Sequence, residues 1–351
     1  MRDEGGPVTT SRATPSTIRD VALRAGVSTA TVSRVLAGIG NPRPDTSAAV
    51  FEAAEALGYR PSGVARSLRM RRTRTLGLIV TDIQNPFFPE LVQAADQAAR
   101  AIGYSILLGS AAYDEERAMH YLDLMVDRRV DGMIVASSQL SERSWQMLLD
   151  SPVPVVVVNA EPANLPVTVI NSDNAAGARL AVDHLVSLGH RKIAYIRGQE
   201  SYTADLPRIE GFRRACREAG LAEADTPEFR GDGLFEGGER AAAELLAHRS
   251  DVTAIACYND MTAIGVLRTL RAVGRRVPAD ISVIGCDDIA AASWVVPALT
   301  TIVQQKADMG RRAIERLAQA LDDPDHVTAP EVIRLPMFLK VRESTGPAPT
   351  T

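Results

Sequence analysis

Residues 17 to 36 read T-I-R-D-V-A-L-R-A-G-V-S-T-A-T-V-S-R-V-L. Ile18, Val21, Ala22 and Ala25 recur at i, i+3, i+4 and i+7, one face of a short helix. Thr17 and Asp20 stand at the spacing of a capping box. Gly26 stops that helix, Val27 plugs the turn, and Ser28 is placed to cap a second helix with Val32, Val35 and Leu36 inward. Two short helices around a glycine-containing turn form a helix-turn-helix. A third helix is expected from about Thr46 to Leu57, with Val50, Phe51, Ala54 and Leu57 on its inner face.

Outward from this stretch, residues 1–15 are polar and rich in Gly and Pro, the composition of a flexible tail. Eleven Arg against four Asp/Glu give residues 11–75 a charge of +7. The first ten residues carry −1, and the whole chain of 351 residues carries −4, so residues 76–351 carry −10. A basic head on an acidic body is the asymmetry of a nucleic-acid-binding module attached to a separate domain. After the third helix comes G-Y-R-P-S-G-V-A-R-S-L, residues 58 to 68, where Val64, Ala65 and Leu68 make a small apolar face. Such a short helix is unstable alone, and Gly63 weakens it further.

From Thr75 onward short Val/Ile/Leu strands alternate with amphipathic helices. The expected strands are 76–80, 105–108, 132–136, 155–158, 193–196, 254–257 and 282–285. The expected helices are 89–102, 115–127, 175–188, 209–219, 238–248, 261–273 and 307–321. Continuously apolar strands are buried on both faces, the mark of parallel α/β sheets. At 46% hydrophobic and 23% charged, the composition is that of a soluble globular protein. No apolar run approaches the ~20 residues of a membrane helix, and the start of the chain lacks the apolar core of a secretory signal. Cys216, Cys257 and Cys286 show no metal-ligand or disulfide spacing. The five His are scattered, and GxSxG, HExxH and P-loop patterns are absent. No cofactor, metal or catalytic residue is therefore expected.

The stretches 17–36 and 58–68 resemble the DNA-binding headpiece and hinge helix of the LacI/GalR family of bacterial transcription regulators, and the resemblance continues to about Arg342. It implies an all-α helix-turn-helix headpiece (16–60), a hinge helix and linker (61–74), and two doubly wound parallel-sheet subdomains of the periplasmic-binding-protein type. The first would hold 75–172 and 300–332, the second 173–299 and 333–343, with a flexible tail at 344–351. Two rival readings share parts of the pattern: a transporter's solute-binding protein, which would need a signal peptide and no headpiece, and an enzyme on a doubly wound fold.

Groove geometry assigns roles in the headpiece. The first turns of a recognition helix meet the major groove. Arg34 would fork to guanine O6 and N7, Ala30 would touch a thymine methyl, and Thr29 could make either contact. Ser28, Thr31, Ser33 and the helix N-termini would hold phosphates, and Thr17 is counted among the DNA-binding residues. The resemblance makes Leu68 the side chain that wedges into the minor groove, with Val64 and Ala65 beside it. Gly63 departs from the larger residue many relatives carry.

In open α/β sheets ligands bind beyond the carboxyl ends of the strands. There the sequence places Asn85, Phe87, Phe88, Asn259, Asp287 and Gln304, and the family resemblance adds Arg208. Ring faces with an Arg, an Asp, an Asn and a Gln suit a sugar or polyol. Asp260 is read as a helix N-cap, Asp288 as a surface carboxylate and His190 as structural. Gly233 stands where many relatives have an aromatic ring, with Phe235 as its expected stand-in. The partners expected are double-stranded operator DNA, a small sugar-like effector and a second copy of the chain. Pro347 and Pro349 keep the tail from forming a coiled coil, so a dimer is expected, in the cytoplasm and at the nucleoid.

Overall fold

The computed structural model describes residues 16–36, 40–59, 72–136, 141–151, 153–160, 166–199, 205–323 and 330–349. Val64, Ala65 and Leu68 of the expected hinge, and the tail at 1–15, lie outside these residues. The chain divides into two compact units, 1–73 and 74–351.

The first unit holds α1 (Ile18–Arg24), α2 (Thr29–Leu36) and α3 (Pro44–Ala56). Thr17 and Asp20 close the capping box: the Asp20 carboxylate accepts from the Thr17 backbone N–H at 2.7 Å, and the Thr17 hydroxyl accepts from the Asp20 N–H at 3.4 Å. Gly26 takes φ +65°, which only glycine adopts without penalty, and the chain turns there. Ser28 caps α2 through the Thr31 N–H at 3.1 Å. The core is Val21, Ala22, Val32, Val35, Val50, Ala53 and Ala54. Two expectations for α3 are corrected. It begins at Pro44, whose missing N–H is not needed in a first turn. Phe51 is 55% exposed and Ala53 is buried instead. The inward positions 50, 53, 54 and 57 follow the helical period, and 51 lies about 100° away from 50.

The second unit contains two six-stranded sheets. β1 (Thr75–Val80), β2 (Ser105–Ser110), β3 (Gly132–Ala136), β4 (Val155–Val158) and β5 (Thr168–Ser172) alternate with α4 (Phe87–Ala101), α5 (Glu115–Asp127) and α6 (Glu142–Asp150). The chain then enters α7 (Asn174–Ser187), β6 (Ile193–Ile196), α8 (Asp205–Glu218), β7 (Glu228–Phe229), α9 (Phe235–His248), β8 (Ala254–Cys257), α10 (Asp260–Ala272), β9 (Ser282–Asp287) and β10 (Thr300–Val303). It closes with α11 (Lys306–Asp322), β11 (Val332–Leu335) and β12 (Phe338–Lys340). The first sheet runs β11-β5-β4-β3-β1-β2 and is parallel throughout. The second runs β12-β10-β9-β8-β6-β7, and only β12 is antiparallel. Fully buried residues such as Leu76, Leu78 and Ile134 line the strands, each adding roughly 1.5–3 kcal/mol of hydrophobic stabilisation.

The subdomain boundaries differ from those expected. β10 pairs with β9, Thr300 opposite Ile284, so residues 300–303 belong to the second sheet. β11 pairs with β5, so residues 332–335 belong to the first. The returns fall at about 304–305 and 336–337, because each crossing segment completes a strand before it leaves its sheet.

The expected flexible tail is a strap. Ser344 is fully buried; its hydroxyl accepts from the Thr300 N–H at 2.8 Å and donates to the Val283 carbonyl at 2.6 Å. Thr345 lies 2.9 Å from His184 Nε2, and Ala348 donates to the Leu188 carbonyl at 2.8 Å. His190, fully buried, donates from Nε2 to the Gly346 carbonyl at 3.1 Å and lies 2.9 Å from the Thr253 hydroxyl. Burial lowers the pKa of both imidazoles and favours the neutral rings. A His with a depressed folded pKa gives stability that is present above its unfolded pKa and lost as pH falls through the folded one. Deleting 344–351 removes several buried hydrogen bonds worth about 1 kcal/mol each, so the melting temperature should fall by on the order of 5–10 °C at pH 7.5. The deletion should also shrink the further loss between pH 7.5 and 5, because the two rings then sit in water; calorimetry across that range checks both.

Candidate functional site

In the first unit the start of α2 presents Thr29, Ala30 and Arg34 to solvent. Ala30 and Arg34 share one face at i, i+4. Thr31 and Ser33 are half-buried, and Thr31 shares a 2.9 Å hydrogen bond with the Ser28 hydroxyl. The first turn carries no acidic residue, so the helix N-terminus and its hydroxyls are open to anions. Thr17 is exposed, but its hydroxyl is bonded to Asp20 at 2.8 Å and is already used by the cap.

In the second unit a cavity lies at the carboxyl ends of strands from both sheets. Asn85, Phe87, Phe88, Arg208, Asn259, Asp287 and Gln304 all line it. Phe87 and Phe88, with rings edge-to-face at 5.2 Å, form one wall at the start of α4. Asn85 accepts from the Phe87 N–H at 3.0 Å and holds that turn.

Arg208 is buried and bonded to neutral acceptors: Nε donates to Asn174 Oδ1 at 2.9 Å and an Nη to the Tyr258 carbonyl at 2.7 Å. Its guanidinium sits 4.5 Å from the centre of the Tyr258 ring. Asp287 ends β9 at φ +129°, and Asp288 follows at φ +55°. Burial raises the Asp287 pKa, opposed by the Arg208 and Lys306 charges and the hydrogen bond from Gln304. Gln304 has both amide atoms engaged: Nε2 donates to Asp287 Oδ1 at 2.5 Å, and Oε1 accepts from the Ser172 hydroxyl at 2.7 Å.

Three neighbouring expectations are corrected. Asn259, not Asp260, caps α10, because Asn259 holds the extended backbone a cap needs and accepts from the Thr262 N–H at 2.9 Å. Its amide also donates one hydrogen to the Gly233 carbonyl at 2.8 Å, which fixes the side chain in the cavity wall. Asp260 lies beneath the wall, fully buried, accepting from the Thr301 hydroxyl at 2.5 Å and the Ile289 N–H at 2.9 Å. Burial, then the Asp287 charge, pushes its pKa up to about 7. Phe235 does not line the cavity; Arg268 stands 5.5 Å from its ring centre, and Gly233 at φ +79° keeps a conformation that suits glycine.

Sequence reasoning missed Thr81, Tyr113, Asn159, Asn174, Tyr258 and Lys306. Asn159, at φ +54°, lines the cavity, and its buried Oδ1 has no hydrogen-bond partner. A buried acceptor left in this state favours a ligand that donates. Tyr258 adjoins Asn259 in A-C-Y-N-D and could have been read from that motif. Nothing local marks Asn159, which follows a plain run of four Val. The assembled groups are ring faces and fixed polar atoms, an arrangement that binds and orients a small polar ligand. Among the described residues no group of His, Cys, Asp or Glu is arranged to hold a metal, and no helix is long and apolar enough to cross a membrane.

Residues 17–62 match the lacI family of bacterial regulatory proteins, and residues 182–345 match a periplasmic binding protein-like domain. The HTH-type transcriptional repressor PurR of Glaesserella parasuis is 37% identical over 333 residues, covering 94% of this chain and 98% of that protein. The lac repressor dimer bound to operator and the anti-inducer ONPF superposes with a TM-score of 0.85 at 28% identity, over 95% of this chain and 100% of that one. A complex of the transcriptional regulator CelR with cellobiose gives 0.71 at 32% identity, over 94% and 99%. The headpiece, the paired sheets and relatives that run nearly the length of the chain show that it belongs to the LacI family of bacterial regulatory proteins, DNA-binding transcription regulators and not enzymes.

Proposed function

We propose that this chain represses transcription as a homodimer on a pseudo-palindromic operator, and that a small sugar or polyol in the cavity controls it. The observation that carries the reading is the convergence of Phe87, Phe88, Arg208 and Asp287 on one cavity, in a chain whose headpiece exposes Thr29, Ala30 and Arg34. Ring faces stack on sugar C–H groups, Arg208 donates to hydroxyl oxygens, and Asp287 and Asn159 Oδ1 accept from hydroxyl hydrogens. The cellobiose complex of CelR and the operator-bound dimer of the lac repressor support the sugar and the dimer. Trp294 and Val296, 75% and 80% exposed, give the body apolar surface suited to pairing with a second copy. Such a regulator works in the cytoplasm, at the nucleoid. Effector and operator would be linked by a coupling free energy of about 1–3 kcal/mol.

Asp287→Asn keeps the shape and removes the charge. Against an effector found by its thermal stabilisation of wild type, it should weaken binding on the order of 10- to 100-fold, the worth of one buried charge-assisted hydrogen bond. Operator affinity without effector should stay within a few-fold; calorimetry and mobility shift measure the two. Unchanged effector affinity would remove the cavity from the reading.

Arg34→Ala should lose roughly 1–3 kcal/mol of discrimination at one guanine in each half-site at fixed salt. A phosphate contact would instead weaken all operator variants alike and lower the salt slope.

Leu68→Ala should reduce operator affinity more than nonspecific affinity and blunt the dependence on the central base step, because a wedge unstacks pyrimidine–purine steps most easily. Mobility shifts on operators differing only at the centre compare the two proteins.

A further inference from the structure

Lys306 is one of three lysines in the chain and the first residue of α11. Lys192 and Lys340 are surface ion-pair residues, whereas the Lys306 side chain is 3% exposed. An ammonium is costly to bury unless its hydrogens are accepted. Lys306 Nζ donates to the Asp287 carbonyl at 2.5 Å and the Asp288 carbonyl at 3.1 Å, and it forms an ion pair with the half-exposed Glu90 carboxylate at 3.3 Å. Two backbone carbonyls and one carboxylate thus surround the ammonium, a compact arrangement that the planar fork of an arginine would not reproduce.

The acceptors come from different sides of the molecule. The two carbonyls belong to the end of β9, in the second sheet. Glu90 belongs to the first turn of α4, which packs on the first sheet and carries Phe87 and Phe88. Asp287 and Asp288 are consecutive non-glycine residues at positive φ, a conformation that persists only where surrounding contacts over-determine it. Lys306 supplies two of those contacts, and both act on the backbone that aims the Asp287 carboxylate into the cavity. The Ser172–Gln304–Asp287 hydrogen bonds join the same two sheets beside it.

We propose that Lys306 is a positioning residue that ties the two walls of the cavity together, holding the strained Asp287–Asp288 turn on one side and the start of α4 on the other. It touches the backbone of the turn and not the cavity, so it sets the direction of Asp287 without being a ligand contact. A ligand that grips both Asp287 and the phenylalanine wall has to work with this tie.

The test uses the full chain without ligand or DNA. Lysine acetylation with a water-soluble ester, followed by mass spectrometry, compares Lys306 with Lys340 in the same molecule. In wild type Lys306 should label at least tenfold more slowly, and Glu90→Gln should raise its rate severalfold while leaving Lys340 unchanged. Hydrogen exchange supplies the second arm. Lys306→Met should speed exchange at residues 286–290 and 87–92 together, at least tenfold, with β6 and β8 unchanged. A residue serving only as packing would leave both segments as they were, or would speed exchange across the whole unit, and either result overturns the proposal. Should Lys306→Met not fold, the labelling comparison in wild type and Glu90→Gln decides: equal labelling of Lys306 and Lys340, or no response to Glu90→Gln, also overturns it. Neither arm depends on the effector, so failure here leaves the functional reading standing.

Discussion

Burying charge where the carboxyl ends of two parallel sheets converge is the constraint on which the rest of this structure depends. Asp260, Asp287, Arg208 and Lys306 are all buried there. Each is expensive in a low-dielectric interior, and each is held by fixed partners: Thr301 and Ile289 for Asp260, Gln304 for Asp287, Asn174 and the Tyr258 carbonyl for Arg208, backbone carbonyls and Glu90 for Lys306. Such a network is stable only while complete, because an orphaned buried charge costs more than the pair returns. The cavity is therefore preorganised by the electrostatics that stabilise the body.

The three crossings between the sheets follow from this arrangement. β10 finishes in the second sheet, and within two residues Gln304 has reached back to Ser172 at the end of β5. α11 then packs on α4, and β11 and β12 divide between the two sheets. Beyond β12 the chain is pinned over β9 and β10 by Ser344 and Thr345 and by the imidazoles of His184 and His190. That strap closes polar groups at one end of the second sheet, while the cavity gathers them at the other.

The headpiece obeys simpler rules. Its core is a handful of small and β-branched side chains, its helix starts are fixed by side-chain caps, and its turn rests on one glycine. All of these are local, spanning a few residues, and so they are legible as spacing. The outward Phe51 is the exception, since i, i+3, i+4 spacing admits more than one choice of face until the partner helices are in place.

By itself the sequence determined the helix-turn-helix, the alternation of buried strands and amphipathic helices, the family, and seven residues that prove to share one cavity. Those features are carried by periodicity, capping and motif, which act over short range. Tertiary structure alone decided where the chain crosses between sheets, since strand pairing is a contact between distant residues and left 300–303 and 332–335 on the sheets opposite to expectation. It decided that 344–349 is a strap, because a polar Ser-Thr-Gly segment becomes buried only when Thr300, Val283 and His190 lie beneath it. It also divided the cavity residues by role. Asn259 and Gln304 hydrogen-bond to Thr262, Gly233, Ser172 and Asp287, while Asn159 keeps an open acceptor. Which hydrogen bonds a side chain makes depends on what stands opposite it in space, and no local pattern encodes that.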